Sequence, residues 1–494
     1  MKDMKFDIKT ITDERAFHNT AILIFLKAAD EVFGGAEVRI GNSLNQGYFS
    51  YRADDVPIKA GDAAKLSRRM KGIIAKNIPV TTEELSVADA IKMWEENGCD
   101  EKAKLLAGLD PSEKVEIAEI DGYKNCMYSK VLPSTGYIRS FEIRVYRKGV
   151  LLRLPNMLHS GDIPSYRDDD KLYEAYRESN RMRNQTGIHY VGDANERIRE
   201  GEAQDLIDIS ESYQSEMIGS FADRITREGK RIVLISGPSS SGKTTTAKRL
   251  CQAIARRCGV DPLYMGTDDY FVERCDTPLD ADGKPNFEGL DALDLDLFNE
   301  QMDALLAGKE VDIPEFDFVE GKKVFGKRIT KLQTDQIMVI EGIHSLNDVL
   351  TENIDREQKF KIYISPLTQM GLDRHNRLST VDTRLLRRIV RDNQFRAYDA
   401  RATLDTWPKV RAGESEYVFP YSSSADVVFN SSTLYETNLL RTFAEPLLSD
   451  IKEGEDVYPE AQRILNLIKL FEKIESADGV PANSILREFV GPKK

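Results

Sequence analysis

An α/β protein is predicted, with a parallel sheet flanked by helices in the second half of the chain. Three observations carry this. Residues 231–250 read RIVLISGPSSSGKTTTAKRL: an apolar run (Ile232, Val233, Leu234, Ile235), a Gly-rich segment, then Ala247, Leu250, Cys251 and Ile254 at helical spacing. From 231 to about 434, strand-like and helix-like stretches alternate, as crossovers in a parallel sheet require. Two further short apolar stretches lead into acids, at Asp268 and Glu341. Ligands of open α/β sheets sit at the carboxyl ends of strands, which is where such acids would project.

The elements before this region read as α+β over residues 1–155. Helical periodicity appears at 16–30, at 61–76 (Leu66, Met70, Ile73, Ile74) and at 86–97. Strand-like alternation follows at 115–120 and 141–152, with Asp121-Gly122 and Lys148-Gly149 as turn signals. Residues 156–228 form a charged, mostly helical connector, broken near Thr186-Gly187, and the sheet domain spans 229–434. Over 435–494, helices at 435–449 and 459–475 and an ILREFV tail are expected to pack back on that domain.

Composition narrows the class. A hydrophobic fraction of 41% over 494 residues supplies buried cores for several domains. The formal net charge of −13 argues against broad nucleic-acid binding, so nucleic acid is not an expected partner. The apolar run at 21–26 is cut by Lys27, so neither a signal peptide nor a membrane span is expected. Five cysteines without a C-x-x-C pair fit a reducing cytoplasm, and Cys251 and Cys258 read as small core residues.

The chemistry starts at Gly237-Pro-Ser-Ser-Ser-Gly242-Lys243-Thr244, which has the G-x-x-x-x-G-K-[ST] spacing of a phosphate-binding P-loop. Gly237 and Gly242 let the backbone curl its N–H groups around phosphate oxygens, and the helix adds its positive end. Gly237, Ser239, Ser240, Ser241, Gly242, Lys243, Thr244 and Thr245 are therefore the candidate nucleotide-binding residues. Lys243 would reach the β/γ-phosphates, and the Thr244 hydroxyl would hold Mg²⁺. Asp268 can accept a proton from an attacking hydroxyl or bind Mg²⁺ through water, and Glu341 is a second Mg²⁺-side group. Eight arginines between 374 and 401 (374, 377, 384, 387, 388, 391, 396 and 401) read as a lid closing on ATP, with Arg384, Arg387, Arg388 and Arg391 sharing one helix face. Such arginines can be worth roughly 10³–10⁵ in rate.

These words resemble a family. GPSSSGKTT, TDDYF, NFEGLDALD, IPEFDFVEGKK, VIEGIH and DTRLLRRIVRDNQFRA follow the order and spacing of the uridine kinase/phosphoribulokinase family over about 230–432. The resemblance implies a P-loop kinase that uses ATP and Mg²⁺ to phosphorylate a hydroxyl of a small acceptor. It implies Asp268 as catalytic base, Lys243, Arg391 and Arg396 around the moving phosphoryl group, and Thr244 and Glu341 beside Mg²⁺. Glu288 stands where the family places an acid on the ribose hydroxyls, and Arg388 matches a substrate arginine. The family's tyrosine and histidine that touch the base are here Phe316 and Gly321, and its R-G-R lid reads Arg396-Ala397-Tyr398. Phe316 and Tyr398 could stack on a different base or line a differently shaped pocket. A nucleoside is the leading acceptor; a phosphosugar or other non-nucleoside alcohol, and an RNA-linked NTPase switch, stay open. A homo-oligomer is also implied.

Residues 12–155 resemble the editing-type domain of threonyl-tRNA synthetases through HNTAILIFLKAA, GYFSY, KNIPV and CMYSKVLPSTG. That family's four-residue polar pocket is reduced here to His18 and Cys126, with Ile22 and Lys130 at the other two places. A zinc site needs three or four protein ligands, so no zinc is expected. A binding, regulatory or oligomerisation role is the expectation for this domain.

Overall fold

Thr10 starts the first helix, Ile11–Phe33: its hydroxyl accepts from the Asp13 N–H, and the Asp13 carboxylate accepts from the Thr10 N–H. Such a reciprocal cap satisfies amides that the first turn leaves unpaired. The computed structural model describes residues 6–279, 283 and 285–493. It divides into two units: residues 1–203, 368–379 and 437–475 form the first, and 204–367, 380–436 and 476–494 the second.

In the first unit, Leu23, Ile24, Phe25 and Ala28 of that helix are fully buried. They share a core with Leu66, Met70 and Ile73 of the helix Ala60–Ala75 and with strand residues Ile40, Ile120, Val150 and Leu152. Truncating one such leucine to alanine costs about 2–5 kcal/mol. The strands make two antiparallel sheets. One has the order Val38–Leu44, Gly47–Arg52, Gly149–Arg153, Glu142–Tyr146. The other runs Thr81–Ser86, Lys114–Ile120, Tyr123–Asn125, turning at Asp121-Gly122 as the sequence predicts.

Three expected placements differ. The connector over 156–228 is divided: helices Asp170–Thr186 and Val191–Arg199 belong to the first unit, and Ala203–Arg227 enters the second from Gln204. Residues 437–475 belong to the first unit and not to the unit of the parallel sheet. Buried amides hold them there: Asn438 Nδ2 donates to Asn195 Oδ1 (3.1 Å) and Glu472 O (2.7 Å), and Asn195 Nδ2 donates to Leu470 O (2.7 Å). Residues 368–379, which include the start of the arginine-rich stretch, also lie in the first unit. There Arg374 pairs with Glu101 (2.6 Å), and the buried Lys102 meets Asp373 at 2.7 Å. Arg374 and Arg377 are therefore not part of a lid.

The second unit is built on five parallel strands in the order Val427–Asn430, Lys359–Ser365, Ile232–Ser236, Met338–Glu341, Leu263–Gly266. All residues of the central strand Ile232–Ser236 are buried, as a strand covered on both faces must be. Its chain successor, Leu263–Gly266, is not its neighbour, because Met338–Glu341 lies between them. That register sets Glu341 beside Ile235 on one side and Gly266 on the other, so the three strand ends converge at one edge. The tail residues Ile485, Leu486 and Phe489 are fully buried and belong to this unit. Cys251 is half-buried and Cys258 exposed, so the second cysteine is not a core residue: it closes the helix Lys243–Cys258 at its solvated end. Among the described residues no helix is long and apolar enough to cross a membrane.

Candidate functional site

The strand Ile232–Ser236 delivers the chain into the Gly-rich turn, and the helix Lys243–Cys258 takes it away. Gly237 is forced by packing, since a Cβ there would meet Ile364 O at 2.2 Å. Gly242 is forced by conformation, with φ of +89° at the helix N-cap. Between them Ser240 also takes a positive φ of 60°, and Ser241 N–H donates back to Pro238 O at 3.2 Å. The result is a closed turn at a helix N-terminus, a ready anion cradle.

Lys243 Nζ donates to Gly237 O (2.9 Å) and Pro238 O (3.2 Å), so the ammonium lies over the loop's mouth. Thr244 Oγ1 donates to Glu341 Oε1 at 2.7 Å, and Tyr264 OH reaches the same oxygen at 3.1 Å. A hydroxyl and a carboxylate oxygen side by side at the loop are hard donors of the kind Mg²⁺ takes beside phosphates, so the pair fits that ion.

Leu263–Gly266 ends in the turn Thr267–Tyr270, which carries the two aspartates of TDDYF. Asp269 is taken up by Arg328 at 2.5 Å. Asp268 has no ion pair among the described residues and keeps exposed surface at the strand ends. Even so, protein surrounds it closely enough that desolvation, then Glu341, raise its pKa to about 7, against the pull of Lys243. A carboxylate tuned toward neutrality by burial and like charge is suited to proton transfer.

The arginine-rich helix Thr380–Arg396 meets expectation in part. Its shared face is real, but it points into protein. Arg384 and Arg387 are fully buried, and Arg384 Nε donates to Ser239 O at 2.9 Å. Arg387 spans Ser431 O (2.9 Å) and Glu436 (2.6 Å) while reaching the Ser240 and Ser241 carbonyls. These two brace the loop from behind and are not lid cations. Arg388 NH1 donates to Ser239 Oγ at 2.9 Å, which places it at the loop. Arg388, Arg391 and Arg396 all pair with the buried Asp392, at 3.1, 3.4 and 3.5 Å. Burial, and then Arg396, lower the Arg391 pKa to about 10.

The acceptor-side residues divide. Glu288 is half-buried, and burial, then Glu414, push its pKa up. Phe316 is 5% exposed and packs edge-on against Phe271 (5.6 Å) and Phe318 (5.2 Å), while Phe271 also meets Phe287 (5.7 Å). This phenylalanine cluster ties Phe287, the residue before Glu288, to the TDDYF turn. Tyr398 is 53% exposed and stands outside the cluster.

Sequence reading missed three residues. Glu414, 1% exposed on the helix Ala400–Tyr417, accepts from the Ser239 N–H at 2.7 Å and pairs with Arg384. Its other oxygen, Oε2, is buried and unbonded. His344 of VIEGIH is buried against the Glu288 and Gly289 backbone; burial drives its pKa down to about 4 and keeps it neutral. Asp392 is the third. Its place between arginines in RDNQFR was the one available signal.

In the first unit, His18 is held by Tyr48 OH (3.0 Å) and Pro155 O (2.7 Å), and burial lowers its pKa. Cys126 is fully buried, which raises its thiol to about 11. Its electrostatic neighbours are Lys102 and Asp373, a set that His18 does not share.

Residues 232–438 match the model of the Phosphoribulokinase / Uridine kinase family. A uridine kinase of Chloroflexus aurantiacus is 28% identical over 200 residues, 40% of this chain and 85% of that protein. A uridine kinase of Deinococcus deserti is 26% identical over 209 residues, 42% of this chain and 91% of that protein. The solved structure of a possible uridine kinase from Bacillus stearothermophilus is 21% identical, covering 43% of this chain and 97% of that one at a TM-score of 0.27. The C-terminal part of the chain, with its P-loop, is thus similar to the Phosphoribulokinase / Uridine kinase family, which supports a phosphotransferase.

Proposed function

We propose that the protein is an ATP-dependent kinase that phosphorylates a hydroxyl of a small acceptor, with a nucleoside as the leading acceptor. The observation that carries this reading is the position of Asp268. It is an unpaired carboxylate raised to about 7, at the strand edge shared with Glu341, and it feels Lys243.

In this mechanism the loop amides and Lys243 hold the phosphate tail. Mg²⁺, held by Thr244 and Glu341, would neutralise charge on the phosphate oxygens when bound. Asp268 accepts the proton of the acceptor hydroxyl as its oxygen bonds to the γ-phosphorus and the bond to the β-phosphate oxygen breaks, releasing ADP. The transition state is loose, so positioning and charge neutralisation outweigh base strength. Arg391 and Arg396, gathered by Asp392, are the cations offered to the transferred group, while Arg384 and Arg387 keep the loop in shape. Glu288 addresses acceptor hydroxyls.

Phe316 favours a second acceptor class, a phosphosugar or other non-nucleoside alcohol. Its side chain brings no hydrogen-bonding group to a base and is spent on aromatic packing. A pocket without such groups discriminates weakly for a polar base. The test is ADP release with Mg-ATP across nucleosides, phosphosugars and simple polyols. Acceptor-dependent release that Lys243→Ala abolishes supports a kinase; release stimulated by tRNA and by no metabolite would replace it with an NTPase switch. A homo-oligomeric cytoplasmic enzyme, with the first unit in a binding or regulatory role, completes the proposal.

A further inference from the structure

The anion cradle already holds a carboxylate of the chain itself. Glu488 Oε2 accepts from Thr245 Oγ1 at 3.0 Å and from the Thr245 N–H at 3.4 Å. The helix Lys243–Cys258 has no acid in its own first turn, so this charge comes from 243 residues away. The segment that brings it is firmly seated. Ile485 packs where a Cβ on Gly242 would lie, 2.5 Å from its Cγ2. Phe489 carries the Arg387 guanidinium over its ring at 5.1 Å, and Ser484 bonds to Glu211.

In a P-loop the backbone N–H groups cradle the α/β-phosphates, the Lys reaches the β/γ-phosphates and the Ser/Thr hydroxyl takes Mg²⁺. With Lys243 and Thr244 so engaged toward the β/γ end, the Thr245 N–H on the following residue is the amide left to an α-phosphate oxygen. A carboxylate on that amide and a phosphate oxygen cannot share it, and two anions at hydrogen-bond distance repel strongly where water is scarce. Resting on the donor-site role given above to the P-loop, we propose that Glu488 is a donor-specificity determinant. It occupies the α-phosphate position at Thr245, so a nucleoside triphosphate binds by displacing it, whereas pyrophosphate, spanning only Lys243 and Thr244, leaves it in place.

Calorimetric titration of the full-length chain with Mg-ATP and with Mg-pyrophosphate tests this in wild type, Glu488→Gln and Lys243→Ala. Glu488→Gln is expected to bind Mg-ATP at least about fivefold more tightly while changing Mg-pyrophosphate less than about twofold. In the unaltered protein, Mg-ATP should speed hydrogen exchange at the amides of 486–491, and Mg-pyrophosphate should not. That second measurement stands even where the variant folds poorly. Unchanged or weaker ATP binding by Glu488→Gln, with Lys243→Ala losing it, would make Glu488 a mere helix cap and leave the donor site intact. An equal gain for both ligands would overturn the selectivity. Failure of wild type and Glu488→Gln alike to bind either ligand would remove the donor site and this role together.

Discussion

Asp268 in the second unit keeps exposed surface at the strand ends and Asp373 in the first is buried, yet both lose solvation to the surrounding protein, and their chemistry diverges. Burial pushes Asp373 up as well, but Lys102 Nζ at 2.7 Å and the N–H groups of His375 (2.7 Å) and Asn376 (2.8 Å) hold it below its ordinary value of 3.8. Asp268 has no such partners among the described residues, and its nearest charges are mostly acids, so desolvation and Glu341 carry it to about 7. Enclosure alone does not make a carboxylate reactive. What decides is whether the fold supplies a fixed cation, which turns the group into a structural anchor, or withholds one, which leaves it poised.

That contrast can be broken by mutation. Lys243→Ala should abolish turnover with little change in melting temperature, as measured by coupled ADP release and calorimetry; normal turnover would remove the site assignment. Arg391→Ala should slow turnover by about 10³-fold or more with a modest change in ATP affinity. Asp268→Asn should lower kcat by about 10²–10⁴-fold, whereas Asp373→Asn should leave kcat nearly intact and act on stability. Lys102→Ala strands a buried charge and should cost about 3–5 kcal/mol in urea unfolding; a negligible loss would mean Asp373 is not anchored by it.

The smallest effect sharpens the contrast most. A group whose pKa is raised by folding weakens the fold as pH climbs through the window between its two values. In metal-free buffer Asp268→Asn should therefore melt slightly higher than wild type above pH 7, the gain kept small by solvent screening of this exposed group. The gap should close as pH falls from about 7 toward 3.8, where both forms are neutral. Asp373 has the opposite sign: its stabilisation is present above 3.8 and is lost as pH falls through its lower folded value.

Much of the candidate site was legible because its parts lie on short, regular stretches of chain. The P-loop, its strand and its helix occupy consecutive residues, and Asp268 and Glu341 follow apolar runs that had to be strands. What separates Asp268 from Asp269 is Arg328, 59 residues on, which takes the second acid, and no local pattern names it. The arginine helix shows the limit of periodicity. A spacing of three and four tells which arginines share a face, not whether that face meets solvent or the back of a loop.

By itself, the sequence determined the α/β class, the phosphate cradle and the acids at the strand ends, because backbone sterics and hydrophobic spacing act over a few residues. Only the tertiary structure decided that Glu414 meets Ser239 across 175 residues, that Glu488 meets Thr245 across 243, and that 368–379 and 437–475 join the first unit. Such contacts follow from packing and charge pairing between distant segments, whose partners local patterns do not name.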